Sequence, residues 1–281
     1  MAKIAVESKK RVPEARQIAA GAGWKISDVV CTAGPLDTPF EEQHSLTSIA
    51  VVVSGTFQYR SSTGNELMTP GSLLLGNAGE CFCCRHEHGT GDRCVLFSYE
   101  AGLLERLGFD ARSPDAPFRV PRLPSSRLLA PMVAKALAFQ AGDPGVDGEE
   151  LGVELAVKAI QIARGASSPV STRVEPSALA RVSRVVRMID NRPGIPHGLD
   201  GLAKLARLSP YHFLRTFESL TGITPHQYLM RVRLRRAAFC LRTEPSRILD
   251  IALDCGFGDV SNFNRAFRAE FGVTPRAYRA R

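Results

Sequence analysis

The sequence lacks the hydrophobic features that would direct it into a membrane or out of the cell. No stretch approaches the roughly 18 apolar residues that a helix needs to cross a bilayer. The N-terminal MAKIAVESKKRVPEARQ has no apolar core of the kind that a secretory signal carries. We therefore expect a cytoplasmic protein with no membrane partner. Its seven cysteines are then expected as thiols, thiolates or metal ligands rather than as disulfides.

Signatures of catalysis are missing as well. The sequence shows neither a nucleophile with an adjacent base nor a glycine loop that would cradle a phosphate. We therefore expect a protein that is not an enzyme. Its 281 residues are enough for two domains, each with a sizeable core.

Positive charge is concentrated in the C-terminal part of the chain. The whole sequence has 36 Lys+Arg against 28 Asp+Glu, a net charge of +8. Residues 176–281 hold 18 basic and 8 acidic residues, and all of these basic residues except Lys204 are arginines. Arginine makes bidentate contacts with phosphate and guanine. A role in solubility would explain the charge equally well, so the sequence pattern around the arginines has to decide between solubility and nucleic-acid binding.

That pattern is an internal repeat, in which residues 213–228 recur at 263–278 with seven of sixteen positions identical. The shared pattern is F-x-R-x-F-x4-G-x-T-P-x2-Y. Each copy places an arginine between two phenylalanines at positions i and i+4. This spacing predicts a helix with an aromatic inner face and a cationic outer face.

Each copy also fits the second helix of a helix-turn-helix unit. In the first unit, a short helix at 202–206 precedes a helix that begins at Ser209 and Pro210 and ends at Gly222. A long helix from Thr224 to about Leu241 leads to the second unit, whose last helix is capped by Asp259. Because the second helix of such a unit lies in the major groove, two units joined rigidly are expected to reach groove segments about 34 Å apart.

The position of each side chain on these helices predicts its role. Arg215 and Arg265 are the first choice for base readout, and the four phenylalanines of the repeat are expected in the core. The residues expected to reach base edges or phosphates from the first turns are Tyr211, His212, Ser261 and Asn262. The residues expected to contact phosphates are Ser209, Thr216, Asn264 and Arg268. On the long helix, backbone contacts to DNA are expected from Arg231, Arg235 and Arg236, whereas Arg233 is expected to pair with Asp250 or Asp254.

Residues from about 180 to 279 resemble the DNA-binding domain of the AraC/XylS family of bacterial transcription regulators. The motifs that carry the resemblance are S-P-Y-H-F-L-R-T-F at 209–217, G-I-T-P-H-Q-Y-L at 222–229, R-L-R-R-A at 233–237, I-A-L-D-C-G-F-G-D-V-S-N-F-N-R-A-F at 251–267 and G-V-T-P-R-A-Y-R at 272–279. The resemblance implies binding to double-stranded promoter DNA and contact with RNA polymerase. It carries the family's base-contacting positions over to Tyr211, Arg215, Ser261, Asn262 and Arg265. Leu214 departs from the pattern, since a polar contact residue is common there.

The N-terminal part is expected to be a barrel or sandwich of short strands over residues 26–100. Strands are predicted at Ser48–Tyr59, broken at Gly55, and at Ser72–Leu75 and Arg93–Tyr99. A helical hairpin is predicted over 126–165, either as a homodimer surface or packed on the strands.

The predicted fold class is therefore α+β multidomain: a cupin-like β-barrel with a helical hairpin, then an all-α domain with two helix-turn-helix units. The predicted division is a sensor domain at 1–111, a connecting segment with the hairpin at 112–165, a linker at 166–177 and the DNA-binding domain at 178–281.

In the family that the C-terminal part resembles, a cupin-like barrel often binds a small effector. Aligning the glycines of a metal-binding cupin with this sequence places Glu42, His44, Ser48 and Phe82 at the ligand positions. Only His44 is retained, with Glu42 as a substitute, so we expect no metal centre of the enzyme type. Glu42 and His44 are the residues predicted to bind an effector.

A cysteine and histidine cluster, CFCCRHEHGTGDRC at 81–94, replaces the cupin ligands. Its residues are Cys81, Cys83, Cys84, His86, His88 and Cys94. Residues 89–92 are expected to form a hairpin turn that brings Cys94 back beside them. Thiolate and imidazole ligands suit Zn(II), Cu(I) or Ni(II), although no cofactor is expected to be obligatory.

The function of this cluster stays open between four alternatives. The first is a metal-responsive or redox-responsive regulator, and the second is a regulator with an organic effector in the barrel. The third is that the thiols only fill the core, with a histidine bonded to the turn, and that the protein has no ligand or is regulated by dimerisation or a partner. The fourth is a cupin-type enzyme, which the missing ligands disfavour. Cys31, Cys240 and Cys255 are expected to be plain core residues.

Overall fold

The computed structural model describes residues 12–109, 117–166 and 175–280. Across these ranges, strands dominate the N-terminal part and helices the C-terminal part, which confirms the predicted α+β class. The predicted connecting segment and linker fall partly on residues 110–116 and 167–174, outside the described residues.

The strands that the structure describes form two antiparallel sheets. A six-stranded sheet has the order β1-β2-β9-β4-β7-β10, and a four-stranded sheet has the order β3-β8-β5-β6. The strands are β1 (Glu14–Gly21), β2 (Trp24–Cys31), β3 (Glu41–Gln43), β4 (Thr47–Ser54), β5 (Phe57–Ser61), β6 (Gly64–Met68), β7 (Leu73–Gly76), β8 (Cys81–Arg85), β9 (Asp92–Tyr99) and β10 (Arg122–Leu123).

Strand β4 shows how the layers of this part are arranged. Ile49 and Val51 belong to a core shared with helices on the outer side of the six-stranded sheet. Ala50 and Val52 alternate with them and pack against the four-stranded sheet around Tyr59. A strand covered on both faces needs apolar residues at successive positions, which explains the continuous run in its sequence.

The predicted helical hairpin is present and packs against the six-stranded sheet. After a short helix α1 (Ala101–Arg106), it consists of α2 (Ala130–Gln140) and α3 (Gly148–Gly165). Leu151, Leu155 and Ile160 on α3 are buried in the core beneath the sheet. The hairpin therefore packs on the strands, which is one of the two arrangements predicted for it.

The C-terminal part consists of seven helices within the described residues. They are α4 (Pro176–Asn191), α5 (Leu199–Ala206), α6 (Pro210–Thr221), α7 (Pro225–Thr243), α8 (Ile248–Asp254), α9 (Val260–Phe271) and α10 (Pro275–Arg279). The predicted caps are confirmed: Ser209 and Asp259 each accept a backbone N–H in the first turn of α6 and α9. Gly222 and Gly272 end these helices with φ of 77° and 76°, a conformation that favours glycine.

The two copies of the repeat build two similar aromatic cores. In the first, the ring centroids of Phe213 and Phe217 lie 5.6 Å apart, and Tyr228 lies 5.8 Å from Phe217. In the second, Phe263 and Phe267 lie 5.5 Å apart, with Tyr278 at 5.3 Å from Phe267. All four phenylalanines are fully buried, as their spacing predicts.

Apolar contacts join the strand-rich part to the helical part. Leu67 on β6 is 2% exposed and belongs to the core of the first helix-turn-helix unit. Ala134 on α2 belongs in the same way to the core of the second unit, where α2 contacts both α7 and α9.

Polar contacts cross the same boundary. The guanidinium of Arg122 pairs with Glu66 at 2.7 Å and donates to the carbonyl oxygen of Thr221, near the end of α6, at 2.9 Å. Arg242 on α7 pairs with Asp143, in the loop between α2 and α3. Both helix-turn-helix units are therefore attached to the N-terminal part in this conformation.

Three sequence predictions about the strands and helices need correction. The sheet begins at Glu14 rather than at residue 26, because β1 lies at the sheet edge and is mostly exposed, so its sequence has no apolar alternation that would mark a strand. The hairpin predicted to pair 81–88 with Cys94 is wrong, since β8 pairs with β3 and β5 whereas β9 pairs with β2 and β4. The final helix, α10, was not predicted from the sequence.

Among the helices of the described ranges, none is both long enough and apolar enough to span a membrane.

Candidate nucleic-acid interface

Helix α6 presents the predicted contact residues of the first unit on its outer side. Tyr211, His212 and Arg215 are exposed, and Thr216 is half-buried. The hydroxyl of Ser209 accepts the backbone N–H of His212 and lies 2.8 Å from its Nδ1. Ser209 therefore both starts the helix and orients the imidazole in its first turn.

Arg215 is held by another residue of the same predicted set. Its guanidinium donates to the Tyr211 hydroxyl at 3.1 Å and lies 5.9 Å from the centre of that ring. Since the two residues are four positions apart, this contact directs the arginine back toward the N-terminus of α6. That end of a recognition helix is the one that reaches base edges.

Helix α9 repeats the arrangement with different residues. Asp259 caps the helix by accepting the backbone N–H of Asn262 at 2.6 Å. The side-chain oxygen of Asn262 accepts from Arg265 at 3.2 Å, so Arg265 also leans toward the start of its helix. Ser261, Asn264 and Arg268 complete the exposed face. The sequence predicted these residues separately, and the structure shows that each arginine has a positioning partner.

Two of the three α7 arginines that were predicted to contact the DNA backbone, Arg231 and Arg235, do not join this surface. Arg231 donates to the carbonyl oxygen of Ser125 and lies 3.6 Å from Glu270. Arg235 lies 3.4 Å from the carboxylate of Asp190. Both arginines therefore face the N-terminal part or α4 in this conformation rather than a position where DNA would lie.

The predicted pairing of Arg233 with Asp250 or Asp254 is wrong. Its guanidinium donates to the carbonyl oxygens of Pro193 and Ile195 at 2.8 and 3.0 Å. The loop after α4 is close enough to satisfy the arginine with backbone acceptors, and the sequence gave no sign of this contact.

A cleft of about 710 Å³ lies between the two parts of the chain. Its walls come from the turns after β4 and before β9, from the C-terminal end of α2, and from α4 and α7. The charged residues that line it are Arg93, Arg187, Asp190, Arg235 and Arg236. Sequence reasoning missed this cleft because its walls come from segments far apart in the chain.

Asp190 is the acidic group of this cleft and is strongly perturbed. The Tyr228 hydroxyl donates to the Oδ2 atom of Asp190 at 2.6 Å, and the guanidinium of Arg235 lies 3.4 Å from the Oδ1 atom. Burial raises the pKa of Asp190 to about 6, although Arg235 and Tyr228 oppose this increase.

The two residues predicted to bind an effector in the barrel lie in different surroundings. His44 is buried, with its Nε2 2.8 Å from the Tyr59 hydroxyl and its ring stacked on Phe82 at 4.2 Å. Burial lowers the pKa of His44 to about 4, so the ring is neutral near pH 7. Glu42 instead lines a small cavity of about 30 Å³ that His44 does not border.

The cysteine and histidine cluster is only partly brought together. Cys81 is exposed, and Cys83 is half-buried on the same strand. His88 lies 2.8 Å from the hydroxyl of Thr56 and 2.7 Å from that of Thr90. Its two ring nitrogens are therefore satisfied by hydroxyl groups, as in the simplest interpretation of a turn histidine.

A different combination converges instead. Cys31, His86 and Asp92 each place a ligand atom within 4.8 Å of the other two. Burial by itself would lower the pKa of His86, but the Asp92 hydrogen bond and Cys31 raise it to about 9. Cys31 is buried, as expected, but it also lies beside two other groups that can bind a metal, which the sequence did not predict. Asp92 was not among the predicted residues.

Two thiols that interact with this group, Cys84 and Cys94, are not activated. Burial raises the pKa of Cys84 well above its ordinary value, and the charge on Asp92 adds to the effect. The same two causes raise the pKa of Cys94. Since the thiolate is the form that reacts with oxidants, both cysteines are poorly suited to oxidation sensing. Cys240 and Cys255 belong with the core of the second helix-turn-helix unit.

Comparison with known proteins gives matches in the C-terminal part. A family described as a helix-turn-helix domain matches residues 202–281. The regulatory protein SoxS of Salmonella typhimurium is 36% identical over 100 residues, which cover 36% of this chain and 94% of SoxS. The HTH-type transcriptional regulator MtrA of Neisseria gonorrhoeae is 28% identical over 99 residues, 35% of this chain. The chain thus spans about a third (33%) of the length of MtrA.

Among solved structures, ToxT from Vibrio cholerae covers 92% of this chain and 98% of its own, at 10% sequence identity and a TM-score of 0.37.

Proposed function

Because this chain belongs to the AraC/XylS family of transcription regulators, we propose that it binds one asymmetric promoter site through α6 and α9 together. The observation that carries the proposal is the matched pair of exposed arginines, each oriented by a neighbour on its own helix. Arg215 has Tyr211 and Arg265 has Asn262. A bidentate contact between arginine and guanine contributes about 1–3 kcal/mol of discrimination against a wrong base.

Selection from a randomised duplex library tests this proposal on the full-length protein. Arg215→Ala should relax sequence preference in one part of the selected site, and Arg265→Ala should relax it in another part. Arg184→Ala removes an exposed charge from α4, outside both recognition helices, and serves as the matched control. If neither recognition-helix variant changes the selected sequence, the proposed docking is wrong.

Phosphate contacts should give a different result in the same assay. Arg268→Ala on α9 should weaken binding to all duplexes by a similar factor and leave the selected sequence unchanged. Loss of one phosphate contact reduces the slope of log K against log salt by about 0.9. Titrations at several salt concentrations therefore distinguish positioning contacts from base readout.

We also propose that a small effector binds in the cleft between the two parts and controls DNA binding. The cleft volume of about 710 Å³ falls within the range of about 300–1,000 Å³ typical of ligand sites. With Arg235 paired to Asp190 and Arg93 paired to Asp28 at 2.6 Å, the lining keeps Arg187 and Arg236 as further cations. This balance favours an effector that carries an acidic group.

Thermal-shift screening of small carboxylates and phosphates on the full-length chain tests this site. A compound that binds in the cleft should stabilise the wild type and should lose most of that effect in Arg187→Ala. Glu42→Gln, in the separate small cavity, is the matched control. A compound that depends on Glu42 and not on Arg187 would place the effector in the barrel, as the sequence predicted.

The remaining expectations from the sequence stay proposals. We propose contact with RNA polymerase, assembly as a homodimer and location in the cytoplasm, where a promoter-binding protein meets its target. We propose regulation rather than catalysis, since the matched relatives are described as regulators.

A further inference from the structure

Three groups able to bind a metal come from both sheets and meet at one end of the strand-rich part. Cys31 ends β2 and Asp92 begins β9, and the two are direct partners in the antiparallel ladder. His86 follows β8 of the other sheet and places its Nε2 2.6 Å from the Asp92 carboxylate. The three ligand atoms all lie within 4.8 Å of one another.

The backbone around Asp92 is built for close approach. Gly91 has a φ of +71°, and a Cβ there would lie 2.5 Å from the carbonyl oxygen of Cys31. A Cβ on Gly55 would in turn lie 2.4 Å from the carbonyl oxygen of Gly91. These glycines let the turn before β9 pack directly against the end of β2. Close backbone packing therefore fixes the positions of Cys31 and Asp92 relative to each other.

We propose that Cys31, His86 and Asp92 form a binding site for one divalent metal ion, for which Zn²⁺ is the best match. Thiolate, imidazole and carboxylate are the three ligand types that zinc takes in proteins. Four ligands at about 2.0–2.3 Å in tetrahedral geometry lie about 3.3–3.8 Å apart. Side-chain adjustments of about 1 Å would bring the group to this spacing, because the His86–Asp92 contact of 2.6 Å has to open and separations of up to 4.8 Å have to shorten.

Charge and burial support a divalent ion at this position. Cys31 and His86 are each 7% exposed, and the Asp92 side chain is 8% exposed. A thiolate and a carboxylate supply two negative charges, and a neutral imidazole supplies none. The filled site would be electrically neutral, which avoids the cost of burying a net charge.

A fourth ligand position is available next to the three groups. The small cavity of about 30 Å³ is lined by Cys31, Glu42, Cys84 and His86. Its volume suits a single water, since about 10–15 Å³ is the minimum for one. That water would complete the tetrahedron.

The proton balance of binding follows from these ligands. Cysteine binds zinc as the thiolate and histidine as the neutral imidazole, so the protons that these ligands lose pass to the solvent. The metal itself is neither oxidised nor reduced.

The site also adjoins the cleft between the two parts. Gly91 and Arg93, on either side of Asp92, both line that cleft. An ion on Asp92 would therefore fix one wall of the cleft. Because the effector proposed for this cleft controls DNA binding, the ion would also be coupled to DNA affinity. That coupling rests on the proposed function, whereas the metal site does not.

Equilibrium dialysis of the full-length reduced protein against Zn²⁺, after removal of bound metal with a chelator, tests the site. We expect one ion per chain. Cys31→Ser and Asp92→Asn should each weaken binding at least about 10- to 100-fold, the loss that even supporting residues cause. Cys81→Ser, at an exposed thiol of β8, is the matched control and should leave binding unchanged. Absence of zinc binding, its persistence in Cys31→Ser, or its loss in Cys81→Ser would each overturn the proposal.

Cobalt substitution keeps the proposal testable even where a variant fails to fold. Wild-type protein loaded with Co²⁺ should show an intense thiolate-to-cobalt charge-transfer band, and its absence would rule out Cys31 as a ligand. A separate titration with selected promoter DNA tests the coupling. Zinc binding without any change in DNA affinity would overturn the coupling alone, since DNA binding itself is tested by Arg215→Ala and Arg265→Ala.

Discussion

Replacing His44 with glutamine should remove an acid sensitivity of folding that this buried ring produces. His44 is 9% exposed and contacts Tyr59 and Phe82 within the strand-rich part. Burial lowers its pKa from 6.5 to about 4, so the folded state strongly prefers the neutral ring. The unfolded chain takes up the proton near pH 6.5, and the folded chain does so only near pH 4.

The sign and size of the effect follow from that difference. As the pH falls from about 6.5 to about 4, protonation of the unfolded chain lowers the free energy of unfolding, and below pH 4 the loss is complete. Each unit of pKa difference corresponds to about 1.4 kcal/mol. Between pH 7 and pH 4.5, His44 should therefore cost the wild type about 2–3 kcal/mol of stability that the variant does not lose.

Urea denaturation at a series of pH values measures this loss. Trp24 is the single tryptophan of the chain and lies on β2, so its fluorescence reports unfolding of the strand-rich part. His226→Gln, at an exposed histidine of α7, is the matched control and should follow the wild-type curve. Equal pH dependence in the wild type and in His44→Gln would refute the reasoning, because the buried ring would then not be the group that takes up the proton.

Three further predictions concern the helices and their attachment. Phe263→Ala and Phe213→Ala remove equivalent, fully buried rings and should each cost about 3–5 kcal/mol of unfolding free energy, measured by chemical denaturation. Ser209→Ala removes the cap of α6 and should cost about 0.5–2 kcal/mol, whereas Ser209→Asp should retain most of it. Arg122→Met leaves the carboxylate of Glu66 without its partner and should increase hydrogen exchange where α6 ends against the strands; unchanged exchange there would contradict the proposed attachment.

Local sequence signals were sufficient to predict the helices of the C-terminal part. Ser209 and Asp259 as caps, Gly222 as a helix end and phenylalanines four positions apart all act within one or two turns of chain. Each of these signals has its physical cause close by in the sequence, so the predicted helices agree with the structure.

Contacts between distant segments could not be predicted in the same way. Cys31 and Asp92 are 61 positions apart and become neighbours only through the register of β2 and β9. The prediction for 81–94 assumed that adjacent strands pair, but the chain passes from one sheet to the other between β8 and β9. Likewise, charge alone placed Arg231 and Arg235 on the DNA side, because the acceptors that hold them lie in other elements.

Helix α7 has a consequence for how this chain tolerates change. It joins the two helix-turn-helix units without interruption over 19 residues. Because an α-helix turns about 100° per residue, one inserted residue would rotate the second unit by that angle about the axis of α7 relative to the first and shift it by about 1.5 Å. The length of α7 therefore sets the rotational phase between the two recognition helices, α6 and α9, relative to the helical repeat of DNA. Substitutions along α7 preserve this phase, whereas insertions and deletions shift it, so its length should be under stronger constraint than its surface residues.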